Sequence, residues 1–372
     1  MIARLFPGAA GLPAPVAKAA LAVGVSRLGD VTGLDVLGVP VWQAVRPWSR
    51  SISVHQGKAL NGADARIGAA MEAVETGLAE AVQPDHRALR WTDLPVACRP
   101  AQLDDFARRR GAAMDDISLD WIAATDIVDG CDCLVPFAAV SLDFDLPSQP
   151  FVRCESNGHG AHLTLAAASL KGLLELIERD ALAEPPGIDP SAWRLAEHHV
   201  AHGIWPWFDS FRDRTAAAGI GTTVFSRTGL AGVPVVQCEL RSLFAGCPVG
   251  TALGSAAGVS VEAALRGAVT EAAQVRLTLI ANAREDIILA GVSTGATFVP
   301  PAFGFFQPAT LNPRVALPET AEAALAELIA RLTKAGFGRI LRIMLSPPDF
   351  PVVVVRMIVP GLASGERARR QP

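Results

Sequence analysis

Three segments of the sequence carry a pair of carboxylate or amide side chains three residues apart. The pairs are Glu72 with Glu75, Glu175 with Glu178, and Glu271 with Gln274. If these segments are helical, residues three apart lie on one face about a turn from each other, so each pair can grip a cation. The alternative is that each pair belongs to an ordinary solvated face of its helix.

The three segments share a second property, which favours the cation site. Each is rich in alanine, so small side chains surround the acidic pairs and a bulky ligand can approach them. Carboxylates that converge without enough basic residues repel one another, and a divalent cation with oxygen ligands removes that cost. The chemistry predicted by these residues is therefore a magnesium site that carries the phosphates of a nucleotide.

Basic residues suited to phosphate binding lie close to the pairs along the chain. Lys58 precedes the first segment, Arg179 follows Glu178, and Arg276 lies two residues beyond Gln274. Taken singly, each is better explained as a surface charge. No GxxxxGK(S/T) or GxGxxG loop follows a strand-like run, so the common nucleotide-binding folds are not predicted.

Composition excludes several classes of function. The chain has 372 residues, of which 50% are hydrophobic and 19% charged, and its formal net charge is −4. This length and hydrophobic content predict a folded protein with a substantial core. The basic residues form no run before the short RARR at residues 367–370, so nucleic-acid binding is not expected.

The cysteines and the apolar runs indicate where the protein acts. The six cysteines are scattered, which is unlike a disulfide-stapled scaffold, and a reducing cytoplasm is the expected compartment. Cys131 and Cys133 are close together but lack the second pair of a structural zinc site. Pro7, Pro13 and Lys18 interrupt the apolar N-terminus, so no signal peptide is expected. No run of eighteen apolar residues occurs, so no membrane span is expected.

The elements that must position the acidic pairs are predicted from hydrophobic periodicity. Helices are predicted at residues 63–82, 165–182, 261–282 and 319–335. Strands are predicted at residues 39–45, 133–142, 233–240, 340–345 and 351–359. Strands that alternate with helices indicate a layered α/β or α+β protein. Since no linker-like segment is present, residues 1–372 are predicted to form a single domain.

The same residues carry a resemblance to a known family. The chain resembles YcaO-domain proteins in three ordered blocks and in its closing VVVVRMIVPGL, at residues 33–75, 156–181, 254–286 and 352–362. The likeness covers a core from about Leu34 to Leu362, which leaves a short N-terminal lead-in and a C-terminal tail. It implies the YcaO fold, with mixed β-sheets packed against long alanine-rich helices.

The resemblance also implies an activity and a set of site residues. YcaO proteins use ATP and Mg²⁺ to activate a backbone amide of a peptide, by phosphorylating its oxygen after a nucleophile adds to the carbonyl carbon. By resemblance, the metal ligands are Glu72, Glu75, Glu175, Glu178 and Glu271. The nucleotide-binding residues are Lys58, Ser156, Asn157, Arg179, Gln274 and Arg276. The residues expected to act in catalysis are Lys58, Glu178 and Arg179. Such a set suits phosphoryl transfer, which depends on positioning and charge neutralisation.

The chain departs from the family's pattern at several positions. Gly68 stands where relatives carry a serine, and Ala59 replaces the second glycine of Gly-Lys-Gly. Where the family often has Ser-Gly-Asn-Thr-x-x-Glu, this chain reads AHLTLAA, and the expected carboxylate is Ala167. With this carboxylate missing, the number of bound metal ions is left open. A weakened or lost ATPase activity is one consistent outcome. His159 and His162 are either compensating polar contacts in the pocket or structural residues.

The nucleophile decides which product a YcaO enzyme makes. A neighbouring Cys, Ser or Thr side chain gives an azoline, external sulfide gives a thioamide, and an amine gives an amidine. Azoline-forming relatives commonly end in Pro-x-Pro-x-Pro, whereas this chain ends in ERARRQP. The chain is most similar in pattern to stand-alone, TfuA-associated YcaO proteins, including its GLDVLGVPVWQAVRP stretch.

These features favour thioamide formation on a ribosomally made precursor peptide, with a TfuA-type or other partner protein and a homodimeric assembly. An azoline-forming cyclodehydratase is one alternative. The other is a degenerate YcaO protein that acts as a binding scaffold without ATP turnover.

Overall fold

Helices and strands alternate along most of the chain in this computed structural model. The structure describes residues 6–96, 116–147, 154–183, 202–244, 249–282 and 316–362, together with residues 99, 106, 149, 152, 196, 197 and 200. The helices are α1 (Ala14–Ala22), α2 (Gly62–Ala81), α3 (Leu165–Leu182), α4 (Pro206–Ala217), α5 (Val261–Ala281) and α6 (Ala321–Lys334).

The strands form three antiparallel sheets. The first contains β1 (Arg27–Asp30), β2 (Val41–Val45) and β3 (Val54–Lys58) in that order. The second has the order β11-β10-β9-β8, from β8 (Ala196–Glu197), β9 (Ile220–Thr228), β10 (Pro234–Ser242) and β11 (Thr251–Ala257). The third has the order β4-β5-β12-β13-β7, with β6 paired to β5. Its strands are β4 (His86–Leu89), β5 (Leu119–Asp126), β6 (Asp132–Pro136), β7 (His159–His162), β12 (Leu341–Met344) and β13 (Val353–Ile358). The layered α/β architecture predicted from the sequence is confirmed.

Three strand–helix units, β3–α2, β7–α3 and β11–α5, each pack a glycine of the strand against the helix backbone. A Cβ added to Gly57 would lie 2.0 Å from the backbone nitrogen of Ala69. A Cβ on Gly160 would lie 2.0 Å from the Ala168 carbonyl oxygen, and one on Gly254 2.1 Å from the nitrogen of Ala272. Only glycine permits this approach, because such a contact is far inside the van der Waals distance.

The three helices begin with the same type of cap. Asn61, Thr164 and Ser260 are the N-cap residues, and each side chain accepts a hydrogen bond from the backbone N–H three residues later. Counted from its cap, every helix carries its acidic or amide pair at the eleventh and fourteenth positions. The caps therefore place the three pairs at the same height along their helices.

The three units close into a ring. Besides the strand of its own unit, each helix contacts the strand of the next unit: α2 contacts β7, α3 contacts β11, and α5 contacts β3. Each helix thus lies between two units, and the polar pairs at equal heights face the junctions between them. The alanine-rich sequences make this packing between two units possible, since small side chains let the helices pack closely against the strands.

The predicted elements agree with the observed ones, with two corrections. The helix predicted to reach Asn282 ends at Ala281, because Asn282 adopts a left-handed conformation with φ 47°. The strand predicted at residues 133–142 ends at Pro136 and continues as a short 3-10 turn, Phe137–Ala139. Proline has no N–H to extend the ladder, which explains the early end of this strand.

Three hydrophobic clusters support the ring. One joins α1 and α2 to the third sheet, one joins α4 and α5 to the second sheet, and one joins α3 and α6 to β13. Within the described part of the chain, no helix is long and apolar enough to cross a membrane. The single-domain organisation of residues 1–372 stays a prediction, and the C-terminal RARR run lies outside the described residues.

Candidate functional site

One glutamate of each helix is fixed by a backbone N–H of its own unit. The N–H of Gln56 in β3 donates to the Glu72 carboxylate at 3.3 Å, and the N–H of Gly158, directly before β7, donates to Glu175 at 3.0 Å. The third unit repeats the contact, with Ser255 of β11 donating to Glu271 at 3.0 Å. These glutamates occupy the eleventh position after each cap, so the ring orients them in the same way.

The junction between α2 and α3 contains two facing carboxylates and one lysine. Lys171 of α3 reaches across it and donates to Glu75 of α2, with an Nζ–Oε2 distance of 2.8 Å. Burial, followed by the charge of Glu75, raises the pKa of Glu175 to about 7. Arg179 and Lys171 oppose this rise without cancelling it. Negative charge at this junction is therefore only partly neutralised by the protein.

The junction between α3 and α5 is more deeply buried. Glu178 is 8% exposed, and its carboxylate accepts a hydrogen bond of 2.6 Å from the Ser255 hydroxyl. Burial and the charge of Glu271 raise the pKa of Glu178, while Arg179, whose Nη1 lies 3.4 Å from Glu178, lowers it. Lys58 Nζ lies 4.0 Å from Glu271. Two carboxylates and two cations therefore meet here.

The junction between α5 and α2 is neutral. The amide of Gln274 donates to Gln56 Oε1 at 3.2 Å, and the Thr278 hydroxyl donates to the same oxygen. Gln274 occupies the fourteenth position after its cap, where α2 and α3 carry Glu75 and Glu178. The ring thus has two acidic junctions and one junction built from amides.

The segment before β7 borders the acidic junction between α2 and α3. Asn157 is half-buried and precedes Gly158, whose N–H holds Glu175. Ser156 is exposed, and its carbonyl oxygen lies 2.5 Å from Nδ1 of His159. The proposed nucleotide contacts Ser156 and Asn157 are therefore placed beside a carboxylate of the cluster.

His159 is held inside the protein, whereas His162 is exposed at the end of β7. Burial, followed by the charge of Arg356, lowers the pKa of His159 to about 3, so its ring is neutral. Arg356 Nη1 lies 3.1 Å from His159 Nδ1 and also donates to the Glu155 carbonyl. These contacts make His159 a structural support of the segment that carries Ser156.

Arg276 is not brought to the glutamate cluster. Its Nε donates to both carboxylate oxygens of Asp35, at 3.1 and 3.2 Å, and the two side chains are largely buried. Residues two apart on a helix point to nearly opposite sides, so Arg276 faces away from Gln274. A contact between Arg276 and phosphates remains a prediction from the sequence.

The donor set fits a hard divalent cation. Five carboxylates of the ring are accompanied by three basic residues, Lys58, Lys171 and Arg179. Burial, together with the charge of Glu75, raises the pKa of Glu175. Among the described residues, no group of three His, Cys, Asp or Glu side chains is close enough to hold a metal ion by itself. Mg²⁺ commonly uses only one or two carboxylates together with substrate phosphates, so the arrangement suits a metal that arrives with a nucleotide.

Several residues of the site were not identified from the sequence. Lys171 lies four residues before Glu175 and so on the same helix face, but a lone lysine on a helix is usually solvated and gives no distinctive signal. Gln56, Ser255 and Thr278 gave no sequence signal, because strand N–H groups and cross-unit amides depend on how the units pack.

We expect Glu175 to make the stability of the ligand-free protein depend on pH. Its pKa is about 7 in the folded state and 4.5 as the ordinary value, so folding favours the protonated form. The stabilisation is fully present below about pH 4.5 and is lost as the pH rises through about 7. Because Glu175 is partly exposed, the expected loss in unfolding free energy is on the order of 2 kcal/mol. Denaturant unfolding at pH 5 and at pH 8, both without metal, measures this loss in unfolding free energy.

The matched variant for this measurement is Glu175→Gln, which keeps the shape and removes the titrating group. Its unfolding free energy should fall less between pH 5 and pH 8 than that of the unmodified protein. Identical pH dependence in the two proteins would show that Glu175 titrates normally.

Residues 56–363 match a family model described as YcaO cyclodehydratase, ATP- and Mg²⁺-binding. An uncharacterized protein in the tfuA 3′ region of Rhizobium leguminosarum bv. trifolii is 33% identical over 91% of this chain and 84% of its own length. An uncharacterized protein of Methanothermobacter thermautotrophicus is 27% identical over 91% of this chain and 90% of its own length.

Solved structures share the fold at lower sequence identity. YcaO from Methanopyrus kandleri, bound with AMPPCP and Mg²⁺, superposes with a TM-score of 0.67 at 21% identity, covering 92% of this chain and 87% of its own. A heterocyclase in complex with substrate and cofactor gives a TM-score of 0.72 at 21% identity, covering 88% of this chain. This chain spans only 48% of the heterocyclase, about half of its length.

Proposed function

The chain belongs to the YcaO family, and we propose that it is an ATP- and Mg²⁺-dependent enzyme that converts a backbone amide of a precursor peptide into a thioamide. The observation that carries the proposal is the ring of three capped helices, which brings five carboxylates and three cations to its junctions. The matched family model and the nucleotide-bound relative support ATP and Mg²⁺ as the ligands.

The junction between α3 and α5 is the proposed place of the reacting phosphate. Glu178 and Glu271 would hold Mg²⁺, which when bound supplies neutralisation of the phosphate charge. Lys58 and Arg179 lie within 4.0 Å of these two carboxylates, and about a third of each basic side chain is exposed. A triphosphate entering from solvent can therefore meet both cations at once.

The remaining residues orient the nucleotide. Ser156 and Asn157 would border the nucleotide, and Gln274 would contribute an amide at the neutral junction. Glu72 and Glu75 of α2 complete the acidic ring. In this arrangement the protein positions phosphate and peptide amide and stabilises developing charge, which is the main requirement of phosphoryl transfer.

The proposed reaction exchanges the amide oxygen for sulfur. Sulfide adds to the carbonyl carbon, the resulting oxyanion takes the γ-phosphoryl group of ATP, and phosphate leaves as the carbon–sulfur double bond forms. An amide, hydrosulfide and ATP thus give a thioamide, ADP and phosphate. The thioamide product is supported by the relative in the tfuA 3′ region, which also favours a TfuA-type partner as the route of sulfur delivery.

Mass spectrometry of the cognate peptide after reaction tests the product. Thioamidation adds roughly 16 Da, the difference between sulfur and oxygen, whereas azoline formation removes roughly 18 Da as water. We expect the gain, dependent on ATP, Mg²⁺ and a sulfide source. A loss of water without sulfur incorporation would replace the thioamide by an azoline and leave the family assignment intact.

The second candidate is an azoline-forming cyclodehydratase. It is favoured by the structural likeness to a heterocyclase and to the microcin synthetase McbBCD complex, which has a TM-score of 0.61 at 13% identity. The C-terminal residues 367–372 lie outside the described residues. A non-hydrolysing scaffold is the remaining alternative, motivated by Ala167, and peptide-stimulated release of phosphate from ATP would exclude it.

The proposal includes the organisation of the protein in the cell. Residues 1–372 would act as one YcaO domain in the cytoplasm, together with a precursor peptide and a partner protein. A homodimer is the proposed assembly, and light scattering in solution should give about twice the chain mass of 38.9 kDa.

A further inference from the structure

Lys171 connects two of the three helices of the ring. Its ammonium group donates to Glu75 of α2 at 2.8 Å while its own helix, α3, carries Glu175 one turn further on. The carboxylates of Glu75, Glu175 and Glu72 all interact electrostatically with this ammonium group. Lys171 therefore faces three carboxylates.

The equivalent positions of the other two helices carry no charge. Lys171 is the seventh residue after its cap, and the seventh residues after the caps of α2 and α5 are Gly68 and Gly267. The seventh, eleventh and fourteenth residues share one helix face. At this position, on the face that carries the acidic or amide pair, only α3 has a cationic side chain.

The two acidic junctions consequently differ in how closely a basic group approaches their carboxylates. Between α2 and α3, an ammonium group already lies within hydrogen-bond distance of a carboxylate. Between α3 and α5, Lys58 lies 4.0 Å from Glu271 and Arg179 lies 3.4 Å from Glu178. Both distances are longer than the 2.8 Å between Lys171 and Glu75. The second junction leaves more room for a cation between its carboxylates.

Resting on the proposed function, we propose that the Lys171 ammonium takes the place of a divalent cation at the junction of α2 and α3, so that the metal carried with the nucleotide binds at the junction of α3 and α5. An ammonium group is a compact, strongly hydrated point charge, which suits a position among carboxylate oxygens. Half of the Lys171 side chain is exposed, so a neutral replacement there should not disturb the core.

Manganese provides a direct count of the metal sites. The experiment is a titration of the full chain with Mn²⁺ in the presence of a non-hydrolysable ATP analogue, with bound Mn²⁺ measured by electron paramagnetic resonance. We expect Lys171→Gln and Lys171→Met to bind one more Mn²⁺ per chain than the unmodified protein. Lys171→Arg should keep the original count, since it restores a cation.

Two further variants make the assignment specific. Lys334→Gln, at the exposed end of α6, should leave the count unchanged. In the double variant Lys171→Gln, Glu75→Gln, the additional ion should be lost, because one of its carboxylate ligands is removed. Circular dichroism on every variant confirms that the comparison is made between folded proteins.

The outcomes separate this inference from the proposed function. An equal Mn²⁺ count in the unmodified protein and both neutral Lys171 variants, with the nucleotide still bound, would overturn the role of Lys171 and leave the proposed function standing. If the unmodified protein bound no Mn²⁺–nucleotide complex, the proposed function would fail and this inference with it.

Discussion

Replacing Glu178 by Gln is expected to abolish magnesium-dependent ATP binding while leaving the protein folded. Glu178 is 8% exposed, and its carboxylate lies where α3, α5 and β11 meet. Gln preserves the size of the side chain and can still accept the hydrogen bond from the Ser255 hydroxyl. What it removes is the negative charge that would face the metal, so we expect turnover to fall about 100-fold or more.

Calorimetric titration with Mg²⁺ and a non-hydrolysable ATP analogue measures this effect directly. The matched control is Glu327→Gln on α6, where the carboxylate is exposed and pairs with Arg331 on the same helix. That pair should contribute little to either stability or binding. A folded Glu178→Gln protein with undiminished affinity for the analogue would contradict the placement of the nucleotide at this junction.

Replacing Gly254 by Ala is expected to destabilise the whole ring. A Cβ at this position would lie 2.1 Å from the backbone nitrogen of Ala272 and 2.3 Å from the carbonyl oxygen of Ala268. Both contacts are with helix backbone, so no side chain can rotate away, and β11 must separate from α5. We expect a loss of about 3 kcal/mol in the free energy of unfolding. The separation would also move Ser255 away from Glu178 and Glu271 and so lower nucleotide affinity.

Gly250→Ala is the matched control, four residues earlier in the chain. A Cβ on Gly250 has no neighbour within 4 Å, and its φ lies outside the left-handed region. The melting temperatures of the two variants are compared by thermal unfolding. Their nucleotide affinities are measured at a temperature below the unfolding transition. Equal melting temperatures would mean that strand and helix are not in the close contact described above.

Local sequence patterns were sufficient to predict the helices of the ring. The alanine-rich composition and the spacing of apolar positions predict α2, α3 and α5 to within a residue or two of their observed bounds. The three-residue spacing of the acidic pairs also fixes which side of each helix they occupy, because helix geometry alone determines it. The family assignment follows from the order of these same blocks and is confirmed by the match over residues 56–363.

The end of the strand after Cys133 could not be predicted from its apolar residues. The run from Cys133 to Leu142 is buried almost throughout, and burial gives the same apolar signal to a strand and to the turn that follows Pro136. Periodicity reports which residues avoid water, whereas the ladder of hydrogen bonds depends on a neighbouring strand.

From the sequence alone, this protein was predicted to have three alanine-rich helices, each with an acidic or amide pair three residues apart. Only the tertiary structure decided which side chains meet across the junctions. It paired Lys171 with Glu75 and Arg276 with Asp35, although both cations lie closer in sequence to other site residues. Spacing along one helix is set by local geometry. A contact between helices depends instead on how closely each helix packs against its sheet, which glycines such as Gly254 permit.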